Sequence, residues 1–184
     1  MPSVPWPFPV SSRYDAGSMK HLILLRHAKS SWEDQGLADF DRPLAPRGEK
    51  DAPRMGRALK EASALPDLVV CSTATRARQT AARALKAAGY IGPVRHDDRI
   101  YEASVESLLD VVQSIDDEVE TAMLVGHNPG FEMLIGSLIG ATGHPANVRV
   151  PTATLARLEL AATSWKAVKP GSATLIWHLI PRCV

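Results

Sequence analysis

The sequence has few of the features that mark several large classes of protein. It contains only two cysteines, Cys71 and Cys183, in 184 residues, so a disulfide framework is excluded and a reduced, cytoplasmic protein is expected. No apolar run reaches the roughly 18 residues that a membrane-spanning helix needs, so no membrane segment is expected. The net charge of +1 gives no reason to expect nucleic acid or an anionic membrane as a partner. Any specificity for anions must therefore come from a few residues at specific positions rather than from the overall charge.

Motifs that indicate other chemistries are also missing. There is no Gly-rich nucleotide-binding loop, and GHNPG (126–130) has asparagine where a hydrolase would carry a nucleophilic serine. The spacing from Cys71 to Arg76 is one residue shorter than in the phosphate loop of cysteine phosphatases, so Cys71 is predicted to be a small core residue. Four histidines show no metal-ligand spacing: His21, His96, His144 and His178. We therefore expect neither a metal nor a cofactor.

The first 18 residues differ in composition from the rest of the chain. In MPSVPWPFPVSSRYDAGS, prolines interrupt the apolar residues and no basic segment precedes an apolar one, so a signal peptide is not predicted. We expect an N-terminal extension over residues 1–18. Residues 19–184 are expected to form one domain, because this length can bury a substantial core.

Hydrophobic periodicity predicts strands that alternate with helices. Apolar runs at 21–25, 67–72 and 121–126 are typical of strands that are buried on both faces. The alternation in TLARLELA (154–161) and the run at 174–180 predict two late strands, which we expect to be antiparallel. The predicted fold is a three-layer α/β/α sandwich with a mostly parallel sheet.

Four helices are expected between and after these strands. One lies within 45–64, where Pro53 should kink the helix or mark its true start. A second covers 77–88 and ends at Gly89, and a third covers 103–116. The fourth follows Asn128-Pro129, a pair that suits the N-cap and the first turn.

Polar residues follow each of the three apolar runs. Arg26 and His27 follow the first, Ser72 follows the second with Arg76 in the opening turn of the next helix, and His127 follows the third. Ligands of such sheets bind beyond the carboxyl ends of the strands, so these side chains should lie close together.

Arg76 indicates what this strand-end site would bind. A cation in the first turn of a helix costs about 0.3–1 kcal/mol unless an anion lies there. Helix N-termini and arginine forks both suit phosphate. A neutral histidine can attack phosphorus, so His27 is the candidate nucleophile. Arg26, Arg76 and His127 would stabilise the charge on the phosphoryl oxygens.

Five segments together resemble a known family. They are RHAKSSW (26–32), DFDRPLAPRG (39–48), CSTATRARQTA (71–81), IYEAS (100–104) and LVGHNPG (124–130). From about residue 19 to the C-terminus the chain resembles the histidine phosphatase superfamily, which has the phosphoglycerate mutase-like fold, and within it the SixA-type phosphohistidine phosphatases. Ala28 stands where the superfamily usually has glycine in its Arg-His-Gly motif.

The resemblance implies specific roles for several residues. His27 would become phosphorylated, and Arg26, Arg76 and His127 would form a phosphate pocket that works without a metal. Glu102 would give a proton to the leaving group. Three further residues are candidates for the mouth of the pocket: Lys29, Ser30 and Arg47.

The resemblance implies hydrolysis of a phosphoryl group, with a phosphohistidine protein as the expected partner. Mutases and sugar-phosphate phosphatases of this fold carry a helical insertion between the acid and the second histidine. Here residues 103–126 have room for only one helix and one strand, which favours an open pocket.

Two alternatives stay open: a small-molecule phosphomonoesterase, and a non-catalytic domain that binds phosphate or phosphohistidine. A pure binder would need neither His27 nor Glu102. The sequence does not indicate an oligomeric state.

Overall fold

Short apolar strands form a single central sheet. The computed structural model describes residues 19–141 and 143–184, so the predicted extension over 1–18 lies outside the described residues. Within those two ranges the sheet has six strands: β1 (Lys20–Arg26), β2 (Leu68–Cys71), β3 (Val94–His96), β4 (Thr121–Gly126), β5 (Leu155–Leu160) and β6 (Ala173–Leu179).

The strand order is β3-β2-β4-β1-β5-β6. The pairs β3–β2, β2–β4 and β4–β1 are parallel, whereas β1–β5 and β5–β6 are antiparallel. The predictions of a mostly parallel sheet and of two late antiparallel strands are therefore confirmed. The periodicity did not predict β3, because this three-residue edge strand carries no apolar run and is largely exposed.

The helices that connect these strands cover both faces of the sheet. They are α1 (Pro46–Glu61), α2 (Thr75–Ala88), α3 (Val105–Gln113) and α4 (Gly130–Ile139). Gly89 ends α2 in the left-handed conformation, with φ of 71°, as predicted.

Two predicted details of the helix starts are wrong. Of the two possibilities predicted for Pro53, the true start of the helix is wrong, because α1 begins earlier, at Pro46, where a missing backbone N–H costs no hydrogen bond. Pro53 lies inside the helix. Pro129 rather than Asn128 occupies the N-cap position of α4. The Asn128 amide instead donates to the carbonyl of Val150.

Alternate residues of each central strand face opposite layers. In β1, Leu22 and Leu24 belong to the core that α3 and α4 cover. Ile23 and Leu25 belong to the core that α1 and α2 cover. The three-layer α/β/α prediction is therefore confirmed. No helix in residues 19–141 and 143–184 is both long enough and apolar enough to cross a membrane.

We expect Gly56→Ala to destabilise the protein, because α1 meets α2 closely at this point. A Cβ on Gly56 would lie 2.0 Å from the carbonyl oxygen of Ala84. Overpacking costs about 1–3 kcal/mol, while alanine's higher helix propensity returns up to about 1 kcal/mol. Urea unfolding followed by circular dichroism should show a net loss of about 1–2 kcal/mol. Arg57→Ala, at the adjacent exposed position, is the control and should change stability by less than about 0.5 kcal/mol. A Gly56→Ala protein as stable as this control would contradict the close packing.

Candidate active site

Three neighbouring strands end at the same edge of the sheet. β4 lies between β2 and β1, and the register places Arg26 opposite Gly126. The residues that follow these strands line one cavity of about 590 Å³, and the sequence-predicted residues among its lining are Arg26, His27, Lys29, Ser30, Arg76, Glu102 and His127. The structure therefore brings together all the predicted site residues except Arg47.

His27 is held in a fixed orientation directly after β1. Its side chain is buried, and Nδ1 lies 2.8 Å from the carbonyl oxygen of Ala28. A carbonyl only accepts, so Nδ1 carries the proton and donates it. Nε2 therefore keeps its lone pair and accepts a hydrogen bond from Nε of Arg76 at 3.3 Å. The Ala28 amide in turn donates to Oγ1 of Thr80 at 3.0 Å, which ties the turn that holds His27 to α2.

The surroundings of His27 keep its imidazole neutral. Burial lowers the pKa of His27 to about 4, and the positive charges of Arg76 and Arg26 act in the same direction. The hydrogen bond to the Ala28 carbonyl opposes this shift only in part. At pH 7 the ring is therefore neutral, with an unprotonated Nε2 that accepts from Arg76.

His127 stands beside His27 at the end of β4. The two ring centroids are 5.0 Å apart, and Nε2 of His127 lies 2.8 Å from Oγ of the buried Ser72. Burial, together with His27 and Arg76, lowers the pKa of His127 to about 3. Nδ1 of His127 is buried without a hydrogen-bond partner among the residues described. An anion in the cavity would reverse this electrostatic effect and favour a protonated, donating ring.

Arg76 is bound to Asp39 at one end of its guanidinium and to His27 at the other. Its Nη1 donates to the main-chain oxygen of Asp39, and its Nη2 donates to Oδ2 of Asp39 at 2.8 Å. Nε of the same guanidinium faces Nε2 of His27. Asp39 therefore fixes the outer end of the guanidinium, while the side that bears Nε points toward the position a phosphoryl group on His27 would occupy.

Asp39 joins three parts of the site. Oδ1 accepts from Nη1 of Arg42 at 2.7 Å, and Oδ2 accepts from Arg76 and also from the hydroxyl of Tyr101 at 2.9 Å. Burial alone would raise the pKa of the Asp39 carboxyl, but the Tyr101 hydrogen bond and the two arginines together hold it below the usual value. This carboxylate therefore stays charged beside a cationic cavity and offsets part of that charge.

Arg26 is held from the opposite side of the cavity. Its Nη1 donates to the carbonyl of Val150 at 2.7 Å, and the Val150 amide donates to Oε1 of Glu132 at 2.7 Å. Nε of Arg26 is buried without a hydrogen-bond partner in the described part of the chain. A buried, unpaired donor is costly, so an anion that accepted from Arg26 would remove this cost.

The remaining predicted residues occupy different positions. Glu102 lines the cavity mouth, is exposed, and has a φ of 49°, a left-handed backbone that is rare outside glycine. Lys29 is exposed at the mouth, and the buried hydroxyl of Ser30 accepts from Nη2 of Arg42 at 2.8 Å.

The prediction for Arg47 is wrong. Arg47 lies in the first turn of α1, pairs with Asp51 at 3.3 Å and does not line this cavity.

Among the lining residues that were not assigned site roles from the sequence, four have large or charged side chains: Trp32, Asp39, Arg42 and Tyr101. All four lie within the RHAKSSW, DFDRPLAPRG and IYEAS segments, so the motifs did contain a signal. They were missed because they contact and position other side chains of the site, and none of them directly follows one of the three predicted strands.

Cys71 takes the structural position that its spacing predicted. It is fully buried in β2, and burial raises the pKa of its thiol to about 12. A thiol with that pKa supplies no thiolate nucleophile at pH 7. Among residues 19–141 and 143–184, no group of three or more His, Cys, Asp or Glu side chains is placed to hold a metal ion.

Comparison with known proteins identifies the class that this fold and site define. The model of the histidine phosphatase superfamily (branch 1) matches residues 22–109. An uncharacterized protein of Mycobacterium tuberculosis is 39% identical over 164 residues, which cover 86% of this chain and 100% of that protein. The chain therefore belongs to the histidine phosphatase superfamily, and this membership supports a phosphatase activity.

Solved structures relate the chain more narrowly to SixA-type proteins. A structure from Agrobacterium tumefaciens, described as a candidate phosphohistidine phosphatase SixA, is 32% identical with a TM-score of 0.73 and covers 88% of this chain and 98% of that one. The protein histidine phosphatase SixA complexed with tungstate has a TM-score of 0.75 at 19% identity, over 88% of this chain and 97% of that one. The latter similarity shows the shared fold.

We expect His27 and His127 to stay neutral well below the pH at which ordinary histidines titrate. Their lowered pKa values, about 4 and about 3, compare with about 6.5 in an unfolded chain. The unfolded chain therefore binds more protons below pH 6.5, so this contribution to stability is complete above that pH and is lost as the pH falls toward 4. An NMR titration of the ring Cε1–H signals should show both rings neutral at pH 5.5. The same chain in urea is the control, and a His27 midpoint near 6.5 would contradict the assignment.

We expect Asp39→Asn to weaken catalysis, because it loosens the anchored end of Arg76. Charge-assisted hydrogen bonds contribute about 1.5–3 kcal/mol, so kcat/KM for phosphoramidate should fall by roughly 10- to 100-fold. Asp41→Asn is the matched control, because Asp41 is exposed and lies in the same short 3-10 helix as Asp39, which spans Asp39–Asp41. An equal effect of the two substitutions would show that Asp39 does not position Arg76.

Proposed function

We propose that this protein removes phosphoryl groups from phosphohistidine on proteins, through a covalent intermediate on His27. The observation that carries the proposal is the neutral His27 ring, whose Nε2 faces Nε of Arg76 at 3.3 Å inside a cationic cavity. A buried neutral imidazole with a directed lone pair suits nucleophilic attack on phosphorus. A domain that only bound phosphate would gain more from a charged imidazole.

The first step transfers the phosphoryl group to the enzyme. Nε2 of His27 forms a bond to phosphorus as the bond from phosphorus to the substrate nitrogen breaks, and the departing imidazole takes a proton. Arg26, Arg76 and His127 bind the three non-bridging oxygens, where charge lies in the transition state. Imidazole nitrogen is basic enough to be protonated by water, and Glu102 at the mouth is the side chain placed to assist.

The second step hydrolyses the intermediate. A water oxygen forms a bond to phosphorus as the bond to Nε2 of His27 breaks, which releases inorganic phosphate. The proton from water passes to the Glu102 carboxylate or to solvent, and His27 returns to its neutral state. Its low pKa favours this return, because free imidazole rather than imidazolium is the stable form in the cavity at pH 7.

The geometry of the mouth supports a protein substrate. Only α3 and β4 occupy the segment between Glu102 and His127, and Lys29, Trp32 and Glu102 are exposed around the cavity. A histidine side chain displayed on another protein could reach Nε2 of His27 through such a mouth. The cytoplasm is the compartment we propose, because both Cys71 and Cys183 are free thiols.

The position of Glu102 favours a second candidate function, that of a small-molecule phosphomonoesterase. Ester oxygens leave as alkoxides, which are much more basic than neutral imidazole and depend on a positioned proton donor, an effect worth about 10²–10⁴-fold. A carboxyl group at the mouth would serve such substrates more than phosphohistidine.

Turnover of a substrate panel tests the proposal. The wild-type protein should hydrolyse a phosphohistidine protein and phosphoramidate with a kcat/KM at least about 10-fold above that for an alkyl phosphate, because only the ester needs strong acid catalysis. His27→Ala should abolish turnover of all three. His96→Ala, which removes an exposed imidazole from β3, is the control and should retain activity. Preference for the alkyl phosphate would replace the proposal with the phosphomonoesterase. Full turnover by His27→Ala would exclude both.

A further inference from the structure

Trp32 is exposed yet held in place at the mouth of the cavity. Its relative exposure is 69%, which is unusual for so large an apolar ring. The Arg42 guanidinium carbon lies 3.2 Å from the centroid of the ring, so the guanidinium packs closely against one face of the indole. The ring is therefore positioned by this cation–π contact rather than by burial in the core.

Arg42 provides a rigid support for this ring. Nε donates to the Ser31 carbonyl at 2.9 Å, Nη1 to Oδ1 of Asp39 at 2.7 Å, and Nη2 to Oγ of Ser30 at 2.8 Å. All three nitrogens are thus bound within the protein, and the side chain is almost fully buried. Arg42 lines the cavity, but unlike Arg76 it donates no hydrogen bond to His27. Its guanidinium instead lies against Trp32.

Trp32 lines the same cavity into which a leaving group would project from His27. In phosphoryl transfer the leaving atom lies roughly in line with the nucleophile, on the far side of phosphorus. His27 is buried at the base of the cavity, so the leaving group projects toward the mouth, where Trp32 is exposed. A planar ring there can stack on the indole, whereas ammonia or an alkyl alcohol has no π face to offer.

We propose that Trp32 is a specificity-determining residue that stacks on the imidazole ring of the phosphohistidine leaving group. This inference rests on the proposed function for the identity of the ring. The contact itself requires only a planar aromatic leaving group, so it also applies to aryl esters. Trp32 thereby selects substrates whose phosphoryl group is attached to an aromatic ring.

The test compares leaving groups with and without a π face on the full chain. One pair is phosphoimidazole and phosphoramidate, and the other is an aryl phosphate and an alkyl phosphate. Trp32→Ala should lower the ratio of kcat/KM values within each pair by about three- to ten-fold, the size expected of one aromatic contact. Trp32→Phe keeps a π face and should restore most of the ratio. Leu37→Ala removes an exposed apolar side chain from the same loop and should leave both ratios as in the wild type.

Each outcome bears on the stacking contact separately from the proposed function. If only the esters are hydrolysed, the proposed function fails, and the aryl-to-alkyl ratio still tests Trp32. A Trp32→Ala protein with unchanged ratios would overturn the inference. So would a loss confined to a phosphohistidine protein with phosphoimidazole unaffected, because Trp32 would then contact the partner's surface rather than the leaving ring.

Discussion

The role proposed for His27, attack on phosphorus, requires a neutral ring with one fixed lone pair, and the surroundings of His27 meet this requirement. His27 lies at the carboxyl end of β1, next to the end of β4, where burial and two arginines both disfavour its protonation. The Ala28 carbonyl holds the proton on Nδ1, and Thr80 of α2 holds the Ala28 amide. The same arginines that lower the pKa of His27 are those that would bind the oxygens of a phosphoryl group. In the proposed mechanism, one arrangement of charge would therefore serve both the His27 ring and the phosphoryl group.

The concentrated positive charge in the cavity needs a negative charge to offset it, and the Asp39 carboxylate provides one. Its carboxylate binds Arg76, Arg42 and the Tyr101 hydroxyl, which come from three separate segments of the chain. These contacts with Asp39 leave Nε of Arg76 directed at His27 and position Arg42 as a support for Trp32. The proposed phosphate and leaving-group ends of the cavity would thus be connected through the side chain of Asp39.

The periodicity of the sequence predicted the layers, the mostly parallel sheet and the strand ends where Arg26, His27 and His127 stand, because burial on both faces leaves a clear apolar pattern. It did not predict β3, an exposed edge strand with no such pattern. The hydrogen bonds of Asp39 to Arg76, Arg42 and Tyr101 were also missed, because contacts between loop side chains leave no periodic pattern in the sequence. Arg47 was misplaced for a related reason: its partner Asp51 lies one turn away on α1, and a motif match does not reveal a local ion pair.

The most direct test of the account is to identify the atom that carries the phosphoryl group during turnover. The protein should be mixed with excess phosphoramidate, quenched rapidly without acid, digested at alkaline pH and analysed by mass spectrometry. The account predicts one phosphoryl group on the peptide that contains His27, localised to that side chain. Steady turnover with a phosphoryl group on another residue, or with none on His27 at any quench time, would contradict it.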